Sequence, residues 1–286
     1  DSRPEFSRFA WFSMMFGAGI GVGMLTYSTA EPLAHFTNNP DVIAGSAEAL
    51  GRDNLPAAYK WTLLHYGLTP WGCYAIAGMS LAYFAYRRDL PLTIRSPFTA
   101  VLSPEIGRRV GAVVDAAAIL ATIIGIGVTI GYGVNQLTFG VHQITNWSWL
   151  VNEGKPSLSA LSVAVTLLTL AAMLSALSGI GRGIRLLSNL NMALSWLLLV
   201  IFVVFGATAF AGEMFITGLE AYLKGIPEMS VTVWNGGDTA TAQSLSDWQS
   251  AWTIFYWAWW IAFAPFVGLF LARVSQSRTI REYVIG

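Results

Sequence analysis

The chain has 286 residues, 55% of them hydrophobic and only 11% charged, with 16 basic residues balanced by 16 acidic ones. Soluble domains carry about 25% charged residues, so an ordinary globular protein is excluded, and zero net charge gives no general case for nucleic acid or acidic partners. The single cysteine, Cys73, excludes an intrachain disulfide and a cysteine-rich metal centre.

Long apolar stretches separated by short charged loops predict an all-α polytopic membrane protein, because hydrocarbon offers a backbone polar group no partner outside its own helix. Six segments reach the roughly 20 residues that a crossing needs: 9–36, 57–86, 112–141, 158–177, 186–211 and 249–274. We read residues 1–286 as one membrane domain. The chain starts at Asp1 without a signal peptide and stops after a basic turn, and it reads as a piece of a longer protein. Basic loops (Arg87, Arg88, Arg95, Arg108, Arg109; then Arg182, Arg185; then Arg273, Arg278, Arg281) alternate with acidic or near-neutral ones at every crossing. This places the N-terminus, with Arg3 and Arg8, on the cytoplasmic side.

The first span contains Gly17-Ala18-Gly19-Ile20-Gly21-Val22-Gly23. It is not a dinucleotide fingerprint, since position 22 is Val and no strand precedes it. Two readings stand: close helix packing through small residues, and an unwound stretch whose backbone faces a substrate or ion. Glu31 precedes Pro32 near the outer end of the span, where interfacial capping is the plain reading.

The second span carries Tyr66, Trp71 and Tyr74 within one broad arc, with Pro70 as a bend. Asp115 opens the third span, where a helix N-terminus favours a carboxylate. His65 and His142 are isolated in sequence and suggest no metal site. The loop 212–248 is long, polar and external, with a short interfacial helix expected at 213–224 and a turn at Trp234-Asn235-Gly236-Gly237-Asp238. No hydrolase triad or zinc-protease motif occurs, so nothing recommends an enzyme.

The sixth span holds Trp252-Thr253-Ile254-Phe255-Tyr256-Trp257-Ala258-Trp259-Trp260, four tryptophans in nine residues. Such rigid π surface suits a cation without N–H donors, such as a quaternary ammonium. The plain alternatives are core packing and an interfacial aromatic belt. Tyr256, Trp260 and Phe263 share one face, so two aromatic faces on separate helices are available to close a box.

This run resembles the W-T-x-x-[FY]-W-x-W-W signature of the betaine/carnitine/choline transporter family. The resemblance continues through Pro265-Phe266-Val267-Gly268-Leu269-Phe270-Leu271-Ala272-Arg273, Arg278-Thr279-Ile280-Arg281-Glu282, Gly19-Ile20-Gly21-Val22-Gly23, Glu31-Pro32, Leu90-Pro91-Leu92-Thr93-Ile94-Arg95-Ser96 and Leu187-Ser188-Asn189-Leu190-Asn191. It implies a leucine-transporter-like core of two inverted five-helix repeats, here the first repeat plus the first helix of the second, equivalent to the family's third to eighth spans. It implies a secondary transporter in the bacterial cytoplasmic membrane, working by alternating access, with a homotrimer as the expected assembly.

The resemblance maps an aromatic substrate box onto Tyr66, Trp71, Tyr74 and Trp260. Trp257 and Trp259 would line the pathway, Phe263 stands at a position that is often Trp, and the backbone of Gly19, Gly21 and Gly23 would meet the carboxylate end. Sodium is the implied coupling ion. One site would use Thr122 and a carbonyl near Phe266, with Ile126 in place of a second threonine; another would use carbonyls of Gly17 and Ile20.

Proton-coupled choline carriers can have Asp where this chain has Gly23, so the expected substrate brings its own negative charge: glycine betaine, dimethylsulfoniopropionate or carnitine. The rivals are a proton-coupled choline carrier, a sodium-independent exchanger and a betaine-binding osmosensor.

Overall fold

The computed structural model describes residues 3–19 and 21–286. Among them the chain is helical apart from one short hairpin, Val151–Asn152 against Lys155–Pro156. The helices in order are α1 (Arg8–Gly19), α2 (Val22–Thr37), α3 (Pro40–Ile43), α4 (Leu55–Tyr66), α5 (Leu68–Arg87), α6 (Ser96–Val101), α7 (Pro104–Thr145), α8 (Leu158–Leu177), α9 (Arg185–Phe205), α10 (Thr208–Met229), α11 (Ala240–Gln249), α12 (Phe255–Val274) and α13 (Ile280–Ile285). Single π-helical turns at Ile180–Ile184 and Ser250–Ile254 lead into α9 and α12.

Among the described residues four stretches are long and apolar enough to cross a membrane: Glu105–Thr145, Leu158–Leu177, Gly181–Phe205 and Ala240–Val274. The pair Arg8–Gly19 and Met24–Ile43, bent by 59°, counts as a fifth where it is taken as one broken span. The predicted second crossing at 57–86 is not one continuous helix, because it breaks at Gly67 into a 12-residue α4 and a 20-residue α5. The predicted third crossing lies inside α7, so Asp115 is not at a helix N-terminus: it sits on the twelfth residue of α7 and pairs with Arg95 at 3.4 Å. The short helix expected at 213–224 is present but longer, as the 22-residue α10 (Thr208–Met229). Gly218 and Gly225 lie where the helix runs close against Tyr59 and Lys60 of α4.

Backbone proximity groups the chain into two compact units. One comprises residues up to Leu25, Leu81–Trp196 and Leu269–Gly286; the other comprises Thr26–Ser80 and Leu197–Gly268.

The first unit has a core of Phe6, Ala10, Trp11, Met14 and Val274. Trp11 donates its indole N–H to Ser275 Oγ at 2.9 Å, and the Arg278 guanidinium lies 4.8 Å above the Trp11 ring. Arg278 also donates to the Phe6 carbonyl at 2.7 Å and lies 3.6 Å from Glu282. Glu282 in turn closes a capping box with Thr279 that starts α13. In α7 and α8 most apolar side chains stay exposed, and in α9 the run Leu197–Phe205, which belongs to the second unit, is exposed without a break. Helices that are apolar all round suit hydrocarbon rather than water.

The second unit has a core of Trp61, Leu64 and Trp248, with Trp234 and Trp252 packed against it. Asn39 organises its outer edge. Its side-chain oxygen caps α3 by accepting from the Asp41 and Val42 amides, while its nitrogen donates to the His35 carbonyl and to Asn54. Asp41 then accepts from the Trp61 indole at 2.6 Å and pairs with Lys60 at 2.9 Å. The turn around Trp234 is present, with Gly236 and Gly237 both at positive φ, and Gln249 holds it by bonding the Trp234 amide and the Thr232 carbonyl.

Candidate binding site

The helix break at Gly67 builds the site. A continuous helix would give the carbonyls of Leu64, His65 and Tyr66 to the amides of residues 68, 69 and 70. Pro70 has no amide hydrogen to give, and a Cβ at Gly67 would lie 2.5 Å from the Leu63 carbonyl and 2.6 Å from the Tyr222 hydroxyl. The freed groups find side-chain partners, as buried backbone groups must. The Leu68 amide donates to Tyr222 Oη at 2.8 Å, the Thr69 hydroxyl reaches the Leu64 carbonyl, and the Trp260 indole donates to the His65 carbonyl at 2.9 Å. Trp260 is therefore oriented by the broken end of α4.

Around Trp260 the rings close on one another. Trp71 lies 5.5 Å away at 60°, Tyr74 lies 4.8 Å away at 57°, and Trp71 and Tyr74 meet edge to face at 6.0 Å. These three expected box residues do come together. Tyr66, the fourth, joins a neighbouring group instead: its hydroxyl shares a 2.6 Å hydrogen bond with that of Tyr256, and their rings meet edge to face. Tyr256 also stacks on Trp259 at 6.2 Å and 5° and on His65 at 4.8 Å and 11°. Tyr27 contacts Tyr256, Trp259 and Phe255. Trp257 and Phe263 enter no ring contact among the described residues; both lie half-buried on α12.

In the first unit the glycine stretch interrupts the helix as expected: α1 ends at Gly19, Gly21 is non-helical, and Gly23 lies in α2. A Cβ on Gly17 would come 3.3 Å from Ser188 Oγ, and one on Gly21 would come 3.6 Å from the Thr129 methyl. The approach is tight at Gly17 and ordinary van der Waals contact at Gly21. Of the sodium positions, Ile20 lies outside the described residues. The Thr122 hydroxyl donates to the Ala118 carbonyl of its own helix, which leaves its lone pairs free to ligate. Phe266 belongs to the second unit and is partly exposed.

The structure corrects two expectations beside the cage. Glu31 does not cap an interface, and His65 is not isolated. Glu31, His35 and His65 form one cluster in which the side chains of all three are fully buried. His65 Nδ1 donates to Glu31 Oε1 at 2.5 Å and His35 Nε2 donates to the same oxygen at 3.0 Å. On its other nitrogen, His65 accepts from the Thr253 hydroxyl at 3.0 Å. Glu31 Oε2 and His35 Nδ1 have no hydrogen-bond partner. The Glu31–His35 half was legible as an i,i+4 pair on one helix face. The link to His65, 34 residues away, needed the fold. His142 is hydrogen-bonded to the nearby Trp147 carbonyl at 3.0 Å.

The comparisons with known proteins bear on the chain as a whole. The family model described as "BCCT, betaine/carnitine/choline family transporter" matches residues 1–286. The chain is 39% identical over 285 residues to the osmo-dependent choline transporter of Acinetobacter baylyi and 40% identical over 286 residues to the high-affinity choline transport protein of Escherichia coli K12. In each case all of this chain aligns, to 39% of the relative. It is 36% identical over 287 residues to a glycine betaine transporter of Bacillus subtilis, again along its whole length and to 53% of that protein. The chain thus spans about two fifths to one half of these relatives. Members of this family are transporters rather than enzymes and are integral to the membrane. With a whole-length family match and these aligned relatives, the chain belongs to the betaine/carnitine/choline transporter family.

Proposed function

We propose that the chain forms the substrate-binding part of a secondary active transporter that imports a quaternary ammonium or sulfonium zwitterion of the glycine betaine, dimethylsulfoniopropionate or carnitine type. The observation that carries this reading is the clustering of Trp71, Tyr74 and Trp260, three rings packed edge to face or tilted against one another. Each face contributes about 0.5–2 kcal/mol toward a desolvated cation. Together they reach micromolar affinity, about 8 kcal/mol, only with further help from apolar burial of the methyl groups. Tyr66, Trp257, Trp259 and Phe263 serve the path around the cage. The backbone of Gly19, Gly21 and Gly23, where no side chain intervenes, receives the carboxylate.

In this reading the fold is the leucine-transporter-like inverted repeat, and the six predicted segments cross the bacterial cytoplasmic membrane with the N-terminus inside. Substrate moves by alternating access, in a homotrimer. The coupling ion is sodium, held by Thr122 with a carbonyl near Phe266 and by the carbonyls of Gly17 and Ile20. The apolar Ile126 leaves the Thr122 site one hydroxyl short.

Choline itself is the second reading. The choline transporters among the relatives and the carboxylate of Glu31, one side-chain layer behind the cage, both favour it.

The test is uptake of radiolabelled glycine betaine into proteoliposomes by the protein made from its complete coding sequence, with and without a sodium gradient. Sodium-driven uptake, blocked by dimethylsulfoniopropionate and spared by choline, is the expected result. Block by choline moves the substrate to the second reading, uptake indifferent to sodium moves the mechanism to exchange, and binding without accumulation identifies a sensor.

A further inference from the structure

A buried carboxylate with no cation beside it demands an explanation, since burying an unpaired charge costs far more than burying any neutral polar group. Glu31 is fully buried, and its ion-pair partners among the described residues are the two histidines alone. With both imidazoles neutral and donating to Glu31 Oε1, an ionised Glu31 gives the cluster one net negative charge. Glu31 Oε2 and His35 Nδ1 make no geometric hydrogen bond, and the Tyr256 hydroxyl is the polar group beside Glu31. Glu31 and His35 are both able to take a proton.

The groups facing the cluster from each packed element are known. They are His35 on α2; His65 and Tyr66 on α4; Thr253 on the π turn and Tyr256 on α12; and the Trp248 and Trp252 rings, which pack on His35. Lys60, on the same helix as His65, is already committed to Asp41 at 2.9 Å. No cationic side chain among these neutralises Glu31.

A metal ion between the donors fits less well. Zinc-type bonds of about 2.0–2.2 Å hold tetrahedral ligand atoms about 3.3 Å apart, whereas Glu31 Oε1 lies 2.5 Å and 3.0 Å from the two nitrogens. Those are hydrogen-bond lengths, with protons between the heavy atoms.

The cluster also touches the cage. The residue that bonds Glu31 through its ring, His65, accepts the Trp260 indole through its carbonyl. The same ring stacks on Tyr256, which is hydrogen-bonded to Tyr66. A charge on Glu31 is therefore felt at the cage through low-dielectric protein with little water to screen it.

We infer that Glu31, His35 and His65 form a proton-binding site that competes electrostatically with the cationic head of the substrate, so that substrate binding and proton release are linked. One proton from solvent adds to the His35 Nδ1 lone pair. The imidazolium keeps its Nε2–H on Glu31 Oε1, and the cluster passes from one negative charge to zero. Deprotonated, it is a counter-charge for a quaternary ammonium; protonated, it is not. By linkage the two effects are one coupling: acid weakens substrate binding, and substrate expels the proton. The inference rests on the cage reading above, and it would supply the negative charge that Gly23 does not.

The experiment titrates choline, and separately glycine betaine, into the purified full-coding-sequence protein. Affinity is read by tryptophan fluorescence, and proton release by a pH dye in weak buffer. Choline affinity is expected to fall about tenfold as the cluster takes up its proton on going from neutral to acid pH, with a burst of proton release on binding. Glu31→Gln is expected to bind choline with a flat pH profile and release no proton. His35→Asn keeps the carboxylate and is expected to move the fall in affinity to lower pH, which guards against Glu31→Gln failing to fold. A flat profile without proton release in the unaltered protein overturns the inference while leaving the cage reading intact, as does an undiminished pH response in a folded Glu31→Gln. Failure of both compounds to bind the unaltered protein overturns both readings.

Discussion

Two buried tryptophans, one in each unit, do opposite things with the same ring. Trp11 and Trp260 each donate the indole N–H to a fixed acceptor, Ser275 Oγ and the His65 carbonyl, both at 2.9 Å. Trp11 then uses its π face on the chain's own Arg278, at 4.8 Å. Trp260 meets only Trp71 and Tyr74, and among the described residues no lysine or arginine lies over it. Cation–π attraction is thus spent internally in one place, where it fastens α13 to α1. In the other it is held by rings that the chain itself does not neutralise. The N–H bond sets the ring's orientation in both; what differs is who supplies the cation.

The contrast breaks most completely at Gly67. A methyl group there collides with the Leu63 carbonyl and displaces Tyr222 from the Leu68 amide, so overpacking and a buried unpaired N–H combine. Gly67→Ala is expected to cost about 3 kcal/mol or more of stability, seen as a lower thermal midpoint in detergent. The His65 carbonyl would shift with the break, and substrate binding should weaken in whatever protein still folds.

Removing the ring sharpens the contrast. Trp260→Ala is expected to weaken glycine betaine binding about 10-fold to 30-fold, and Trp260→Phe, which keeps a π face, less than about 5-fold. Equal losses in a binding titration would mean that the indole N–H, not the π face, is what matters.

The smallest effect belongs to Trp11→Phe. It keeps a face for Arg278 and loses the bond to Ser275, so about 1 kcal/mol of stability should go, with substrate affinity unchanged. A change in affinity would show that the first unit reports to the cage and that the two tryptophans are not independent.

Much of this was legible before any coordinates. The aromatic spacing on α12 and the 66–74 arc singled out Trp71, Tyr74 and Trp260, which the structure brings together, because side chains a few residues apart on a helix have predictable directions. The same spacing also grouped Tyr66 and Phe263, which do not join them. The glycine run announced its interruption. Pro70 announced a bend, although the break itself falls at Gly67, where Tyr222 contributes an acceptor from 154 residues away. The same limit hid the histidine cluster: Glu31 and His35 were an obvious helical pair, but nothing in the sequence near His65 says which carboxylate it will meet. The helix expected at 213–224 extends to Thr208–Met229, where its Gly218 and Gly225 let it pack closely on α4 despite their low helix propensity.

The π turn at Ser250–Ile254 has a consequence for anyone aligning this chain. Such a turn holds one residue more than the α-helical turn it replaces. Counting by fours from α11 into α12 therefore misassigns faces by one residue, roughly 100° of rotation. A relative lacking one residue between 250 and 254 would run as an uninterrupted helix and still aim Tyr256 and Trp260 as here. The same gap placed after Phe255 would swing every later ring out of the cage. The segment is thus the one stretch of the signature where a shift in length is structurally silent, and alignment gaps belong there.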